Sequence, residues 1–339
     1  MIRIGIIGAG NISRTHALAA RDIPGVEVAS VWSRTPAAAS ALAREVGAEA
    51  FRELEELLDH RPLDMVIVGT PSGLHAEHAS LAARRGIHVL AEKPLDVDVA
   101  RVDALLADCE QAGVTLGVIF QDRTAPDLVW LRNIIAAGAL GRPLLVSAHV
   151  KWYRPPEYYA ASSWRGTWAL DGGGAVMNQG IHTVDLLLWL FGHVDRVAAI
   201  TRTALHAIEV EDTAVASLQF ASGAVGTLEV TTAAYPGFPR RVELTGSEGT
   251  VTIEGDRVVS VSLRSEPPIA RPQHDGNANA SASSPVVSDI RGHRRVIEDF
   301  IDAVQLHRSP LCDGRDGRRS VALVRAIYRS ARDRQWITV

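Results

Sequence analysis

Lysine is rare in this chain, so each lysine is informative about chemistry. The 35 basic residues are 33 arginines and two lysines, Lys93 and Lys151. A lysine amine can gain or lose a proton in a protein site, whereas a guanidinium stays charged. Lys93 lies in the segment Glu92-Lys93-Pro94, directly after a short apolar run, and we expect it to take part in chemistry. A mutational bias that left two lysines by chance is the alternative.

A second group of reactive side chains follows three consecutive glycines, in residues 171–185. Asn178 and His182 are four residues apart and Asp185 follows three later, so a helix would carry all three on one face. Histidine is the side chain most often used for proton transfer, and Asp185 would lie within reach of its imidazole. The glycines would let the backbone approach a bound ligand. An ordinary helical histidine is the alternative for His182.

A glycine-containing turn follows the apolar N-terminal run Ile2–Ile7. Two glycines permit a tight turn, and the next residues open a helix whose first amides could bind a pyrophosphate. Ser13 stands where a third glycine is usual, and a plain turn is the alternative. The predicted contacts of a dinucleotide in this turn are Gly8, Gly10, Asn11 and Ile12.

The end of the next strand-like run favours NADP over NAD. A domain that prefers NAD usually carries a carboxylate there for the ribose hydroxyls, but this chain has Ser33 and Arg34. A hydroxyl and a guanidinium suit a 2′-phosphate. We therefore predict that NADP is preferred and NAD is possible, with a solvated Arg34 as the alternative.

Apolar runs alternate with amphipathic helical stretches up to about residue 120, which predicts parallel strands joined by crossover helices. The predicted strands are Ile2–Ile7, Val26–Trp32, 64–68, His88–Ala91 and 115–120. Ligands of such sheets bind at the carboxyl ends of the strands. The residues that follow two of these ends are therefore further predicted contacts of the dinucleotide: Thr70, Pro71, His75, Glu92 and Lys93.

The pattern changes after residue 121. Alternation with period two in 214–220 and 224–231 predicts an antiparallel hairpin, and 241–245 and 250–253 extend its sheet. The predicted fold is α/β, with an N-terminal Rossmann domain (1–121) and a C-terminal α+β domain (122–339) built on a large open, mainly antiparallel sheet. Residues 265–288, rich in Ser, Pro, Ala and Asn, are predicted to form a mobile loop. A helical region from about 293 to 332 closes the chain.

Charge and composition exclude several classes of protein. The net charge of -4 gives no bulk positive field for nucleic acid. No apolar run is long enough to span a membrane, and the N-terminus already has the pattern of a strand, so no signal peptide is expected. Cys109 and Cys312 suggest neither a disulfide framework nor a zinc site. We expect a cytoplasmic protein without a metal cluster.

An aromatic segment, residues 151–168, contains three of the seven tryptophans. Indole faces stack on the C–H faces of sugars, and arginine and tyrosine donate to hydroxyls, so the segment predicts a platform for a carbohydrate or polyol. A core or interface cluster is the alternative. The predicted substrate contacts are Trp164 and Arg165, then Tyr153 and Arg123, together with Asn178 and His182.

Glu92-Lys93-Pro94 and the glycine-rich segment 171–185 resemble the hallmarks of the glucose-fructose oxidoreductase, inositol dehydrogenase and rhizopine-catabolism (Gfo/Idh/MocA) oxidoreductases. Trp164-Arg165-Gly166-Thr167 resembles a segment that lines the site in members of that family. The resemblance implies that Lys93 lies beside the nicotinamide and that the bond to Pro94 is commonly cis. Many relatives have aspartate where this chain has Asn178. His182 is then the implied base, with Lys93 stabilising the alkoxide and Asn178 holding the substrate, although Lys93 could itself be the base.

The expected activity is hydride transfer between a nicotinamide and a secondary alcohol or ketone of a sugar, a sugar derivative or a cyclitol. Two alternatives keep the same scaffold. One is a redox-neutral glycosidase that oxidises its substrate transiently, and the other is a nucleotide-sensing regulator without catalysis. The resemblance also implies a homodimer or homotetramer.

Overall fold

The computed structural model describes residues 1–60, 62–272 and 290–339, which separate into two compact units. Of these residues, those in 1–121 and 290–318 form the first unit, and those in 122–272 and 319–339 form the second. The helices are α1 (Asn11–Arg21), α2 (Pro36–Val46), α3 (Leu54–Asp59), α4 (His75–Ala83), α5 (Val99–Ala112), α6 (Pro126–Ala136), α7 (Pro156–Ala160), α8 (Ile181–Phe191), α9 (Arg291–Gln305) and α10 (Gly314–Asp333).

The strands belong to two sheets. They are β1 (Ile2–Ile7), β2 (Val26–Trp32), β3 (Glu49–Phe51), β4 (Met65–Val68), β5 (His88–Ala91), β6 (Leu116–Val118), β7 (Pro143–Lys151), β8 (Val194–Arg202), β9 (Thr213–Phe220), β10 (Val225–Thr231), β11 (Arg241–Gly246), β12 (Gly249–Glu254), β13 (Arg257–Leu263) and β14 (Ile337–Thr338).

The first unit contains a parallel sheet in the order β3-β2-β1-β4-β5-β6. The central strands are almost wholly apolar and buried, as expected of strands with helices on both faces. The strand order reverses between β1 and β4, where α/β sheets bind ligands. The predicted Rossmann architecture is confirmed. The short strand β3 was not predicted, because its three residues give no period to detect.

The first unit also includes residues that were predicted to belong to the second domain. Residues 290–318 cluster with it because α9 is strongly amphipathic. Its apolar face, with Ile297 and Phe300 wholly or almost wholly buried, joins the core that contains Ile4 and Ile6 of β1. The predicted loop 265–288 lies, from residue 273 onwards, outside the described residues.

The second unit contains a sheet in the order β13-β12-β11-β7-β10-β9-β8-β14. All neighbouring pairs are antiparallel except β7 and β10, which are parallel. Strand β9 alternates between buried and exposed residues along its length, so one face of the sheet packs inward. The predicted open, mainly antiparallel sheet is confirmed.

The helix that carries His182 begins with an irregular turn. Ala175–Gly180 is π-helical, and α8 continues from it with almost every side chain buried. An α-helix throughout was predicted, and π turns of this kind are frequent at functional sites. Among the described helices, none is long and apolar enough to cross a membrane.

Candidate functional site

The turn after β1 lies at the reversal of strand order in the first unit. Gly8 adopts a positive φ of 110°, and a side chain there would overlap the carbonyl of Gly69, in the loop after β4. Ser13 donates a hydrogen bond to the same carbonyl, 3.1 Å away. The serine therefore links the two loops, which gives a reason for its place where a third glycine is usual.

The N-terminus of α1 has the properties of an anion site. Gly10 is its extended N-cap residue and offers no side chain to the first amides, and Asn11 and Ile12 form the first turn. No acidic residue lies in that turn. Uncapped amides and the helix dipole both favour a phosphate, so the residues present fit a dinucleotide.

Ser33 and Arg34 follow the end of β2, the strand that pairs with β1. Ser33 is half-buried and accepts a weak hydrogen bond from the amide of Thr35 (3.3 Å), and Arg34 is exposed. No carboxylate stands at either position. The local chemistry is compatible with a phosphate group on the ribose.

His75 ties together the loops that follow β4 and β5. It is buried, and its two ring nitrogens lie 2.6 Å from the carbonyl oxygen of Pro94 and 2.7 Å from that of Thr70. Pro71 precedes it as the N-cap of a short turn, and the Lys93–Pro94 bond is cis, as the resemblance implied. His75 therefore holds the backbone beside Lys93.

Glu92 lies in a buried cluster with two histidines. Its carboxylate is 2.8 Å from Nε2 of His16 on α1, and it accepts the amide of Lys93 at 3.0 Å. The ring of His293 on α9 lies 5.1 Å from that of His16, between centroids. Burial would raise the pKa of Glu92, but the hydrogen bond from His16 and the neighbouring positive charges lower it to about 2. The ionised carboxylate therefore connects α1 to the segment that bears Lys93.

This cluster is the kind of donor set that zinc can use, because ligand atoms of His16, Glu92 and His293 lie within 4.8 Å of one another. Ligand atoms of a tetrahedral zinc at about 2.0–2.1 Å are separated by roughly 3.3 Å. The 2.8 Å between His16 and Glu92 is instead a hydrogen-bond distance. No such cluster was predicted from the sequence, because its members are distant in the chain.

In the second unit, Asn178 is joined to a buried carboxylate. Its Nδ2 donates to Asp171 at 2.5 Å, and the other oxygen of Asp171 accepts the amide of Gly166 at 2.9 Å. Gln179 donates to Oδ1 of Asn178 at 3.1 Å. His182 follows in the first turn of α8 and is partly exposed. The carboxylate of Asp171 thus lies directly beside the Asn178 amide.

Asp185 binds Arg123. The guanidinium donates to both carboxylate oxygens, at 2.8 and 2.6 Å, and both side chains are buried. Ser320 of α10 also donates to Asp185, at 3.4 Å, and Arg123 lies over the ring of Trp189. Arg123 was predicted as a substrate contact, whereas its described partners are residues of the α8 helix.

The aromatic segment forms a cluster around Tyr158. Arg165 lies over that ring, with Cζ 4.4 Å from its centroid, and over Trp164 at 5.5 Å. Arg154 is buried and lies over Trp152, with Cζ 5.1 Å from the centroid of the ring. Arginine side chains thus lie over tryptophan rings in this segment, and Trp152 is buried like a core residue.

Tyr153 and Lys151 have partners away from that cluster. Tyr153 packs edge-on against Tyr235, with centroids 5.3 Å apart. Lys151 pairs with Glu229 on the neighbouring strand β10, at 3.0 Å, and both are partly exposed. The second lysine is therefore part of a surface ion pair on the sheet.

The glycines before α8 are required by two residues that were not predicted from the sequence. A side chain on Gly173 would overlap the hydroxyl of Tyr328 on α10, and one on Gly174 would overlap the carbonyl of Glu211. The Glu211 carboxylate accepts the amides of Gly174 (2.9 Å) and Val176 (2.8 Å), and Tyr328 donates to it at 2.9 Å. Close packing within the unit therefore gives a structural reason for Gly173 and Gly174, and the approach of this backbone to a bound ligand stays a prediction. We call Glu211 and Tyr328 the helix anchor.

Comparison with known proteins identifies matches over both units. Residues 2–120 match the model of an oxidoreductase family with an NAD-binding Rossmann fold, and residues 128–252 match that of the GFO/IDH/MocA C-terminal domain. D-xylose 1-dehydrogenase (NADP(+)) 2 of Haloferax volcanii is 31% identical, over 96% of each chain. Inositol 2-dehydrogenase of Rhizobium meliloti is 28% identical, over 100% of this chain and 99% of the relative.

Among solved structures, the WlbA dehydrogenase of Bordetella pertussis in complex with NADH and UDP-GlcNAcA is similar, with a TM-score of 0.89 and 36% identity. The match covers 100% of this chain and 98% of that one. The expectation of an enzyme is confirmed by these dehydrogenase relatives. The chain therefore belongs to the Gfo/Idh/MocA family of NAD-binding oxidoreductases, as the segment around Lys93 and the glycine-rich segment predicted.

Proposed function

We propose that the protein transfers a hydride between NADP(H) and a secondary alcohol or ketone of a sugar, a sugar derivative or a cyclitol. The observation that carries the proposal is the uncapped N-terminus of α1, a helix whose His16 is hydrogen-bonded to Glu92, the residue before Lys93. The relatives act on sugars or inositol by name, and the WlbA structure holds a sugar nucleotide. The aromatic segment around Trp164 and Arg165 supports a carbohydrate.

We assign roles to three side chains in this reaction. His182 takes the proton of the reacting hydroxyl, Lys93 stabilises the developing alkoxide, and Asn178 orients the substrate. When bound, the oxidised nicotinamide would supply the acceptor for the hydride that leaves the carbinol carbon. The products are then a ketone or lactone, a reduced cofactor and a proton. Lys93 as the base is the second possibility, and a pH profile of the His182→Ala variant separates the two.

We assign the other predicted site residues to binding the cofactor, contacting the substrate or positioning other residues. Gly8, Gly10, Asn11, Ile12, Thr70 and Pro71 bind the dinucleotide, with Ser33 and Arg34 on its 2′-phosphate. We assign Glu92, His75 and Arg123 to positioning, because their described partners are protein groups. Tyr153 stays a proposed substrate contact. A cytoplasmic location and a homodimer or homotetramer also remain predictions.

The experiment that tests the proposal is absorbance at 340 nm with NADP and NAD in parallel, against sugars, glycosides, sugar acids and inositols. A rise with one class of polyol supports it. Release of a chromogenic aglycone with no net NAD(P)H would instead establish the redox-neutral glycosidase. Tight NADPH binding without turnover of any compound would favour the nucleotide-sensing regulator.

A further inference from the structure

Trp168 presents a large apolar ring to solvent. Its exposed fraction is 45%, although tryptophan side chains are on average highly buried. The described ring contact of Trp168 is with Tyr328, which it meets edge-on with centroids 5.3 Å apart. An arginine, by contrast, lies over the indole of several other tryptophans, namely Trp130, Trp152, Trp164, Trp189 and Trp336. Trp168 therefore keeps apolar area that a ligand could cover.

The exposed indole is held in one orientation. Its Nε1–H donates to the carbonyl oxygen of Glu209 at 3.1 Å, and the amide of Trp168 donates to Oε2 of the same residue, also at 3.1 Å. Glu209 is in turn fixed to the aromatic segment, because its amide donates to the carbonyl of Gly166 at 3.0 Å. The ring contact with Tyr328 is a further restraint. A rigid aromatic side chain covers a ligand at a low cost in conformational entropy.

The turn that carries Trp168 also holds Asn178, the residue proposed to orient the substrate. The carboxylate of Asp171 closes this turn by accepting the amide two residues before Trp168, at 2.9 Å. Its other oxygen accepts from Asn178 at 2.5 Å. Tyr328, which packs against Trp168, accepts the amide of Met177 at 3.1 Å. Trp168 thus belongs to the same network of contacts as the π-helical turn before α8.

We propose that Trp168 is a specificity-determining residue whose indole stacks on the C–H face of a cyclic sugar or cyclitol. The inference rests on the proposed function and deepens it, because it names a cyclic rather than an open-chain polyol as the substrate of the same site. A ring with mainly equatorial hydroxyls presents its axial C–H groups as an apolar face, which suits an indole. Stacking removes apolar area of both partners from water. An open-chain polyol has no such rigid face.

The test compares two cyclic compounds, D-glucose and myo-inositol, with D-glucitol, the open-chain counterpart of glucose. Each is titrated calorimetrically into the full chain saturated with NADPH, at constant pH and ionic strength. We expect at least one of the two rings to bind about tenfold or more tightly than D-glucitol, which is the order of magnitude of a stacking contact together with the area that it buries.

Three variants assign the preference to Trp168. Trp168→Ala should weaken the binding of the preferred ring by about tenfold and leave that of D-glucitol unchanged. Trp168→Phe keeps a smaller aromatic face and should retain part of the preference, which also serves if the alanine variant does not fold. Trp336→Ala is the matched control, since Trp336 is likewise 45% exposed but has Arg196 over its ring. We expect this variant to bind all three compounds as wild type does.

The inference is overturned if neither ring binds more tightly than D-glucitol, or if Trp168→Ala weakens all three compounds by the same factor. Sedimentation velocity of Trp168→Ala is measured in parallel. A changed oligomeric state with an unchanged preference for rings would assign Trp168 to an interface between chains, which also overturns the inference.

Turnover with NADP, measured at 340 nm for the same compounds and the sugar panel, separates this inference from the proposed function. A ring preference that depends on Trp168, without turnover of any compound, contradicts the proposed oxidoreductase reaction alone. Turnover of a sugar with the same KM in wild type and Trp168→Ala contradicts the stacking role alone.

Discussion

Ser33 and Arg34 are the side chains on which the proposed cofactor preference depends. Ser33→Asp would place a carboxylate beside the 2′ position, where it repels a phosphate and accepts from ribose hydroxyls. We expect the ratio of NADPH to NADH affinity to fall by about tenfold or more. Fluorescence titration of both cofactors measures the ratio. Ser40→Asp, within α2, adds the same charge as a control, and an unchanged ratio in Ser33→Asp would contradict the assignment.

Lys93 and His182 are the residues assigned to the chemical step. Removing either side chain should reduce kcat by about a hundredfold or more. His182 is expected to take the hydroxyl proton, and Lys93 is expected to stabilise the negative charge that develops on the oxygen. Steady-state kinetics of Lys93→Met and His182→Ala measures the loss. Lys151→Met removes the other lysine, which pairs with Glu229 on the sheet, and should behave as wild type. Near-normal turnover in both active-site variants would refute the roles of Lys93 and His182 in catalysis.

Some of the site could be predicted from single residues and some could not. The rarity of lysine and the segment around it made Lys93 a candidate from the sequence alone. His16 and His293 gave no signal, because their contact with Glu92 depends on α1 and α9 packing in one core. Asp171 was also missed as a partner of Asn178, since seven residues that include a glycine-rich turn do not specify a contact.

The π-helical turn before α8 shows that a sequence pattern can predict an unusual helix start without predicting the distant residues that pack against it. The glycines correctly predicted a special helix start, but the packing of Gly173 and Gly174 against Glu211 and Tyr328, which are distant in sequence, was not predicted. The helix anchor also satisfies amides that the first turn would otherwise leave unbonded. Spacing within the segment could not reveal an acceptor supplied from outside it.

The helix anchor should make stability depend on pH. Burial raises the pKa of Glu211 from its ordinary value near 4.5 to about 7, despite its hydrogen bonds. Because the folded-state pKa is raised, the stabilisation from this group is complete below about pH 4.5 and is lost as pH rises through about 7. The loss amounts to at most about 3 kcal/mol.

Urea unfolding between pH 5 and pH 8 measures this dependence. Glu211→Gln cannot ionise, so its free energy of unfolding should fall less over that interval than that of wild type. Glu209→Gln, at an exposed neighbour, is the control and should keep the wild-type slope. Parallel curves for wild type and Glu211→Gln would show that Glu211 does not titrate in this range.

For the whole molecule, the periodicity of apolar residues predicted both sheets, whereas the order of elements along the chain did not predict which unit α9 joins. Alternating strands and helices gave the parallel sheet, and period-two runs gave the antiparallel one, because each pattern follows from which faces are buried. The return of α9 to the first unit could not be predicted in the same way. An amphipathic helix shows that it packs on a core, but it does not show on which core.

The proposed function depends above all on the passage of a hydride from a sugar carbon to the nicotinamide. The most direct measurement uses a sugar that supports turnover, deuterated at the carbon that is oxidised, with mass spectrometry of the reduced cofactor. We predict one deuterium in each reduced nicotinamide and one ketone or lactone formed with it. Unlabelled cofactor, or deuterium that stays in the sugar or passes to water while the substrate is consumed, would contradict hydride transfer.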